Sequence, residues 1–142
     1  MSADMSALVL RHFSTHDTFA RHMGIELLEI KPGYAKAVMP LDAPQKNGVG
    51  MAHGGAIFGL ADVAFGGACN SSGAVALGIV SSINYLSSGT TGPLTAEARE
   101  LRRSRKIGHY EVDVFDGNGV LMAVCRATAY FRSDMLPCVP DA

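Results

Sequence analysis

The sequence contains no tryptophan and only three cysteines in 142 residues. Cys69, Cys125 and Cys138 are far apart and lack Cys-x-x-Cys spacing, which argues against a disulfide framework or a zinc site and favours a reducing cytoplasm. The formal net charge of −1 gives no electrostatic reason to expect a nucleic-acid partner. The sequence also lacks a secretion-signal pattern and an apolar run long enough to span a bilayer. We therefore expect a soluble, cytoplasmic protein without a membrane partner.

Charge is also scarce in the middle of the chain. Within residues 47–96, Asp62 alone carries a formal charge. Asp62 lies in the segment 53–69, which has no proline and is apolar on every side, so this segment is expected to form a buried helix. A carboxylate buried there loses hydration worth on the order of several kcal/mol unless it is paired or its pKa is raised. Asp62 is thus a candidate functional residue, although a neighbouring loop or a wet crevice could also accommodate it.

Glycines open this predicted helix. His53, Gly54 and Gly55 follow a polar loop over residues 40–52, which is longer than a simple connection requires. A glycine-rich entry leaves the first backbone N–H groups uncovered at the positive end of the helix dipole. Such a helix start can hold a phosphate, a carboxylate or a developing oxyanion. An anion site and a carboxylate within one helix together indicate a functional site.

Strand patterns flank this helix on both sides. Residues 3–23 predict one or two short helices, and the segments that predict strands are 25–30, 34–39, 75–86, 94–101, 109–115 and 120–131. Strands linked by hairpins form an antiparallel sheet whose apolar face must be covered, and only the apolar helix is long enough to cover it. We therefore predict one α+β domain over residues 1–142, in which an antiparallel sheet curls around the central helix. The N-terminal helices occupy residues 1–23, and a flexible tail occupies residues 133–142.

The junction between the loop and the helix has the pattern Asn47-x5-His53-Gly54-Gly55-x6-Asp62. This pattern, and the order of elements around it, resemble the hotdog-fold acyl-CoA thioesterases. The most similar branch is typified by the phenylacetyl-CoA thioesterase of phenylacetate breakdown. The resemblance extends over residues 23–131 and implies the hotdog fold. It also implies hydrolysis of a small acyl-CoA, with an aromatic acyl group among the candidates, and no cofactor apart from the coenzyme A that the substrate carries.

The resemblance assigns roles to the residues of this pattern. Asp62 corresponds to the carboxylate that acts as nucleophile or general base. Gly54 corresponds to the donor of the backbone N–H that polarises the thioester carbonyl, with His53 and Gly55 beside it, and Asn47 helps to place the carbonyl or the water. We expect His53 to shape the loop and steady the substrate. No metal is expected, because no other histidine lies at ligand spacing to His53.

Two further groups of polar residues are candidates for binding coenzyme A. Its pyrophosphate and 3′-phosphate need basic partners. A basic cluster is formed by Arg102, Arg103, Arg105 and Lys106. A polar turn is formed by Ser87, Ser88 and Gly89. The alternatives are an ordinary solvated face for the basic cluster and a plain turn without ligand for the serines.

Other activities have less support from the residues. A Ser–His–Asp triad is disfavoured because no Gly-x-Ser-x-Gly elbow is present. Hydration or dehydration of an acyl thioester in the same fold needs two proton-transfer groups, and a second acid–base residue beside Asp62 is not evident. A non-enzymatic module that binds acyl-CoA would not need a buried carboxylate. These two alternatives to hydrolysis stay open at this point.

The spacing of Gly54 and Asp62 has a consequence for assembly. Asp62 lies eight residues beyond Gly54, so one helix separates them by about 12 Å at ~1.5 Å per residue. A thioester carbonyl must lie within roughly 3 Å of both the oxyanion donor and the attacking oxygen. One chain therefore cannot supply both groups, whereas two antiparallel helices related by a two-fold axis can. We predict an obligate homodimer with composite sites, and the resemblance adds a dimer of dimers, which is a homotetramer.

Overall fold

The predicted succession of helices and strands is confirmed in the computed structural model of the protein, which describes residues 3–141. Met1 and Ser2, predicted as part of the N-terminal helical region, and Ala142, predicted as the end of the tail, lie outside the described residues. The helices are α1 (Ala3–His16), α2 (Thr18–Met23) and α3 (Gly54–Cys69), and a short 3-10 helix covers Ala43–Gln45. The strands are β1 (Glu26–Lys31), β2 (Tyr34–Met39), β3 (Ala74–Tyr85), β4 (Leu94–Arg103), β5 (Ile107–Phe115) and β6 (Leu121–Met135).

The strands form one antiparallel sheet in the order β1-β2-β4-β5-β6-β3. Helix α3 contacts every strand of this sheet, so the predicted hotdog arrangement of a sheet wrapped around an apolar helix is confirmed. Small side chains make this close packing possible. Ala35 and Ala37 are fully buried on β2, and a Cβ at Gly67 would lie 2.9 Å from the Ala35 Cβ. Larger residues at these positions would push α3 away from the sheet.

The N-terminal helices lie beside α3 and β1. Asp17 precedes α2 and caps it, because its Oδ1 accepts a hydrogen bond from Ala20 N–H at 2.9 Å. Gly24 ends α2 with a φ of 74°, a left-handed conformation that glycine adopts without strain. Phe19 of α2 packs on α3 at Gly59, where a Cβ would lie 2.9 Å from Phe19 Cζ. The glycine at this position therefore allows α2 to lie close to α3.

The prediction that a flexible tail begins at Ser133 is wrong about where the tail begins. β6 continues to Met135, which pairs with the first residue of β3. Leu136 is buried, and its N–H donates to Gly73 O at 2.8 Å. The polar residues 132–134 suggested a loop, but they are exposed residues of β6 that form a bulge, and the pairing with β3 resumes at Met135.

Strand β3 forms one edge of the sheet, and its outer side pairs with no other strand among residues 3–141. Its apolar residues Leu77, Ile79 and Val80 are 52%, 55% and 62% exposed. A long apolar edge strand promotes association or aggregation unless it is covered. A single chain thus leaves this twelve-residue strand without cover on one side.

Candidate active site

His53 caps the start of α3 with both its backbone and its ring. Its N–H donates to Gln45 O at 2.8 Å, and its carbonyl accepts from Ile57 N–H at 3.0 Å. The ring Nδ1 accepts from Gly55 N–H at 2.9 Å, so the neutral ring carries its proton on Nε2. The ring therefore shapes the helix start, and Nε2–H is the ring atom left to donate to a substrate.

The Gly54 N–H is an uncommitted donor at this helix start. Because the His53 ring accepts from Gly55 N–H, that N–H is not available to a carbonyl. The Gly54 N–H donates to no acceptor within residues 3–141. It lies at the positive end of the helix dipole, where a developing oxyanion is stabilised. Of the two glycines considered from the sequence, the geometry favours Gly54 for polarising a carbonyl.

Asn47 organises the loop that precedes α3. Its Oδ1 accepts from Val49 N–H at 3.0 Å and from Met51 N–H at 3.1 Å, and its own N–H donates to Met51 O at 2.7 Å. The side-chain oxygen is thus occupied by the loop. Asn47 can act on a carbonyl or a water only through its amide NH2 group, which narrows the role expected from the sequence.

A pocket of about 150 Å³ lies in front of this helix start. The loop before α3 and the turn after β3 are held together because Ala52 N–H donates to Gly89 O at 2.9 Å. A Cβ at Gly89 would lie 3.3 Å from the Ala52 Cβ and would also displace the end of the Met122 side chain, so glycine favours this close approach. The structure thus brings five of the predicted site residues to one place: Asn47, Gly54, Ser87, Ser88 and Gly89.

Tyr85 also lines this pocket, although the sequence did not identify it. It is the last residue of β3, and its OH donates to Gly54 O at 3.0 Å. Tyr85 lies 31 residues from Gly54 in the chain and reaches the helix start only through the sheet. No local pattern could therefore have connected the two residues.

Asp62 is exposed in the single chain, which corrects the prediction of a buried carboxylate. It lies on a narrow, incompletely covered strip of α3, on which Gly55 is exposed and Gly59 and Gly66 are partly exposed, whereas ten other residues of α3 are buried. In the sequence, this helix looked apolar on every side, because glycine carries no polar side chain that would mark the less covered side. The sequence allowed a neighbouring loop or a crevice as the environment of Asp62, and the structure shows a crevice.

Asp62 opens onto a groove of about 400 Å³ between α3, the N-terminal helices and β3. No Lys, Arg or His of the described chain lines this groove. Although Asp62 is exposed, the apolar groups beside it partly desolvate its carboxylate, and this desolvation, followed by the negative charge of Asp17, raises the pKa of Asp62 above its usual value. A carboxylate with a raised pKa and no cationic partner is a stronger base than an ordinary aspartate. The apolar lining includes Phe13, Phe19, Phe65, Cys69 and Leu77.

The basic cluster occupies the hairpin between β4 and β5. Its Arg103, Arg105 and Lys106 side chains are all exposed. The Arg103 guanidinium lies 3.9 Å from the centre of the Phe131 ring, and Lys106 Nζ lies 5.6 Å from the centre of the Tyr130 ring. These cation–π contacts hold two of the cations against the sheet while leaving their charges in solvent.

This hairpin lies near the end of α3 that is remote from Gly54. Burial, and then the charge of Asp62, raise the pKa of Cys69 to about 12, and the positive charge of Arg103 opposes this shift. Arg103 also contacts the ring of Phe131, which pairs with Ala76 of β3, and Ala76 lines the Asp62 groove. The basic cluster belongs to the Asp62 side of the chain and not to the pocket at the helix start.

One chain thus carries two separate half-sites. The first is the pocket at Gly54, and the second is the groove at Asp62. Gly54 and Asp62 are eight residues apart on α3, which is about 12 Å along the axis, and they face different cavities. The structure therefore does not bring the expected carbonyl donor and the expected base together within one chain.

No group of three or more His, Cys, Asp or Glu side chains within residues 3–141 is arranged to hold a metal ion. No helix in the same range is long and apolar enough to cross a membrane. The three cysteines, Cys69, Cys125 and Cys138, are free thiols.

Known proteins resemble this chain in both sequence and structure. The chain matches the thioesterase superfamily over residues 49–123. A putative esterase of Archaeoglobus fulgidus is 36% identical over 123 residues, which are 86% of this chain and 80% of that protein. The acyl-coenzyme A thioesterase PaaI of Escherichia coli is 32% identical over 116 residues, which are 81% of this chain and 83% of that protein. The structure of the E. coli PaaI protein from the phenylacetic acid degradation operon has a TM-score of 0.89 at 28% identity, and the match covers 94% of this chain and 97% of that chain.

These similarities span the elements that build both half-sites. The superfamily match begins in the loop before α3, includes Gly54 and Asp62, and ends within β6. The sequence match to a named thioesterase and the structural match to the same E. coli protein each cover more than four-fifths of the chain. The chain belongs to the thioesterase superfamily and is a thioester hydrolase with the hotdog fold.

Proposed function

We propose that this thioesterase hydrolyses acyl-CoA and that Asp62 is its general base or nucleophile. The observation that supports this most directly is a carboxylate of raised pKa that opens onto an apolar groove without a cationic partner. As a base, Asp62 takes a proton from water while the water oxygen attacks the thioester carbonyl. The resulting oxyanion accepts a hydrogen bond from Gly54 N–H. When the intermediate collapses, the C–S bond breaks and the CoA thiolate takes the proton from Asp62.

As a nucleophile, Asp62 would attack the carbonyl directly, form an anhydride and displace the CoA thiolate before water opens the anhydride. Both routes release one free thiol per acyl-CoA. The test is therefore a panel of acyl-CoAs assayed with a thiol-trapping dye. Hydrolysis of simple thioesters without release of CoA from any acyl-CoA would contradict the proposed substrate class.

We propose that a second copy of the chain completes each site. The two half-sites of one chain are too far apart to act on one carbonyl, and the incompletely covered strip of α3 and the apolar edge of β3 both remain open to a partner. An antiparallel arrangement of two α3 helices would bring Gly54 of each chain to Asp62 of the other. Sedimentation velocity distinguishes this homodimer from a homotetramer, the dimer of dimers that the family resemblance implies.

We propose a small apolar acyl group, with an aromatic ring as the favoured candidate. Phe13, Phe19 and Phe65 line the Asp62 groove, and aromatic side chains favour packing against a ring. The similar E. coli protein belongs to a phenylacetic acid degradation operon, which makes phenylacetyl-CoA the first substrate to try. We also propose a role in aromatic-acid degradation and a cytoplasmic location. The three free thiols are consistent with the cytoplasm, which keeps thiols reduced.

Replacing Gly66 by Leu is expected to narrow this groove. A Cβ at Gly66 meets no atom within 4 Å, so the added side chain can extend into the space beside Asp62. We expect kcat/KM for phenylacetyl-CoA to fall at least about tenfold relative to acetyl-CoA, since steric exclusion of a pocket-filling group costs roughly 1–3 kcal/mol. The measurement is kcat/KM across acyl groups of increasing size, with the oligomeric state checked because Gly66 also lies on the strip of α3 that is open to the partner chain.

The graded control for this variant is Gly66→Ala, which adds only a methyl group. Alanine in a helix interior is more favourable than glycine by about 1 kcal/mol, so this control should be at least as stable as the parent and lose little activity. An equal loss of kcat/KM for every acyl group would show that the groove does not hold the acyl group.

Replacing Arg103, Arg105 and Lys106 together by Ala is expected to raise KM for acyl-CoA much more than it lowers kcat. A phosphate contact remote from the reacting carbonyl contributes equally to ground state and transition state. Steady-state kinetics at low and high salt measure this effect. The control is Arg126→Ala, because Arg126 is an exposed cation on the outer face of the sheet. Unchanged KM in the triple variant would identify the cluster as a solvated face.

Hydration of an acyl thioester receives no support from the geometry. That reaction needs a second proton-transfer group beside the carboxylate. His53 Nδ1 is occupied by Gly55 N–H, so the ring presents only Nε2–H and has no free nitrogen to accept a proton while this hydrogen bond holds. Hydrolysis, which needs one base and one oxyanion donor, fits the described residues better.

A further inference from the structure

Tyr85 lies directly across the start of α3. Its OH donates to Gly54 O at 3.0 Å. A Cβ at Gly54 would lie 3.3 Å from the Tyr85 oxygen and 3.4 Å from Tyr85 Cζ. The ring therefore covers Gly54 closely, and a side chain at this position would require the ring to shift by a few tenths of an ångström.

The sheet fixes the position of the Tyr85 side chain. Tyr85 pairs with Ala123 of β6, and the next residue, Leu86, donates its N–H to Met122 O at 2.8 Å. The hydrogen bond from Tyr85 thus ties the first turn of α3 to a strand that is itself held by β6.

This hydrogen bond begins a continuous chain of donors and acceptors. The Gly54 carbonyl belongs to the same peptide group as the Gly55 N–H, and that N–H donates to His53 Nδ1 at 2.9 Å. A donor to the carbonyl polarises the peptide and strengthens the hydrogen bond that its N–H makes. These hydrogen bonds therefore hold three groups as one unit: the Tyr85 side chain, the peptide between Gly54 and Gly55, and the His53 ring.

We propose that Tyr85 is a positioning residue for the thioester carbonyl site. Tyr85 holds the peptide that follows Gly54 through its hydrogen bond to the Gly54 carbonyl. The His53 cap holds the peptide that precedes Gly54. The Gly54 N–H between these two constraints keeps a fixed direction toward the pocket. Preorganised donors of this kind stabilise an oxyanion without reorganising during the reaction. The inference rests on the proposed role of Gly54 N–H.

The test is Tyr85→Phe, which keeps the ring and removes only the hydroxyl. We expect kcat for phenylacetyl-CoA to fall about three- to tenfold, the range that one hydrogen bond contributes, with KM nearly unchanged. Tyr34→Phe is the matched control, because Tyr34 OH donates to Glu97 Oε1 at 2.8 Å, remote from both half-sites. That variant should keep the parent kcat and KM.

Infrared spectroscopy supplies a readout that a purely structural role would not change. The probe is the ketone analogue of phenylacetyl-CoA in which CH2 replaces the thioester sulfur, with a 13C-labelled carbonyl. Binding to the parent should lower the carbonyl stretching frequency, and this shift should be smaller in Tyr85→Phe. A thioether analogue without a carbonyl should bind equally to both proteins.

An unchanged kcat and an unchanged carbonyl shift in Tyr85→Phe would overturn the inference. Equal weakening of ketone and thioether binding would also overturn it, because Tyr85 would then only support the fold. Asp62→Asn separates this inference from the proposed function. If that variant keeps its turnover, the assignment of the base fails, whereas the carbonyl shift still reports on Tyr85.

Discussion

Asp62→Asn is expected to lower kcat by at least about a hundredfold. The substitution keeps the volume and polarity of the side chain but removes the base or nucleophile, and such groups contribute roughly 10²–10⁴-fold to rate. Binding of the CoA ester should persist, because the groove and the basic cluster are unchanged. The measurement is steady-state release of thiol from acyl-CoA, with the oligomeric state checked alongside. Turnover near that of the parent would contradict the assigned mechanism.

The raised pKa of Asp62 fixes the direction of two accompanying effects. Protonation removes the active carboxylate, so the acid limb of the kcat/KM profile should lie above the usual range of an aspartate. Ionised Asp62 is less favourable in the folded chain than in the unfolded chain, and this destabilisation is present above the folded pKa and absent below the unfolded pKa. Asp62→Asn should therefore have an unchanged or higher melting temperature at pH 7, which thermal unfolding measures.

Mixing two inactive variants is expected to restore activity. Gly54→Pro removes the backbone N–H of Gly54 at the first helical position, where proline is tolerated, and Asp62→Asn removes the base. In a mixed dimer, one site combines the intact Gly54 of one chain with the intact Asp62 of the other, and the second site carries both defects. At equal amounts and full exchange, half of the dimers are mixed. About a quarter of all sites should then be intact in a symmetric dimer.

The measurement is activity after exchange, with mixed dimers quantified by differently tagged chains. A mixture of Asp62→Asn with Asp62→Ala is the control, because no pairing of these chains contains an intact base. Demonstrated exchange without recovered activity would mean that both groups act from one chain. The composite site inferred from the separation of Gly54 and Asp62, about 12 Å along α3, would then be wrong.

The sequence predicted the fold well because its elements have strong local patterns. The hairpin between β1 and β2 and the apolar length of α3 depend on residues close together in the chain. The end of β6 was misplaced because the polar residues 132–134 hide a strand that is stabilised by pairing with β3. Such pairing is a long-range property that composition does not show.

The sequence identified candidate residues of the site but did not predict how they are arranged. The pattern around Gly54 and Asp62 has a fixed spacing, so it could be identified in the sequence. The exposure of Asp62 could not be predicted from the sequence, since it depends on how α2 and β3 border the strip of α3 that contains Asp62. Tyr85 could not be found either, because its hydrogen bond to Gly54 crosses from the sheet to the helix.

The glycines that open one side of α3 also affect how the protein folds. Two of these glycines, Gly59 and Gly66, lie in the helix interior, as does the buried Gly67, and each of the three costs about 1 kcal/mol relative to alanine, roughly 3 kcal/mol in total. A helix of sixteen residues barely exceeds the ~12–15 residues below which isolated helices are marginal in water even with good helix formers. α3 should therefore form only as the strands close around it, a late step that depends on long-range contacts. The element that carries both Gly54 and Asp62 is thus poorly able to fold by itself.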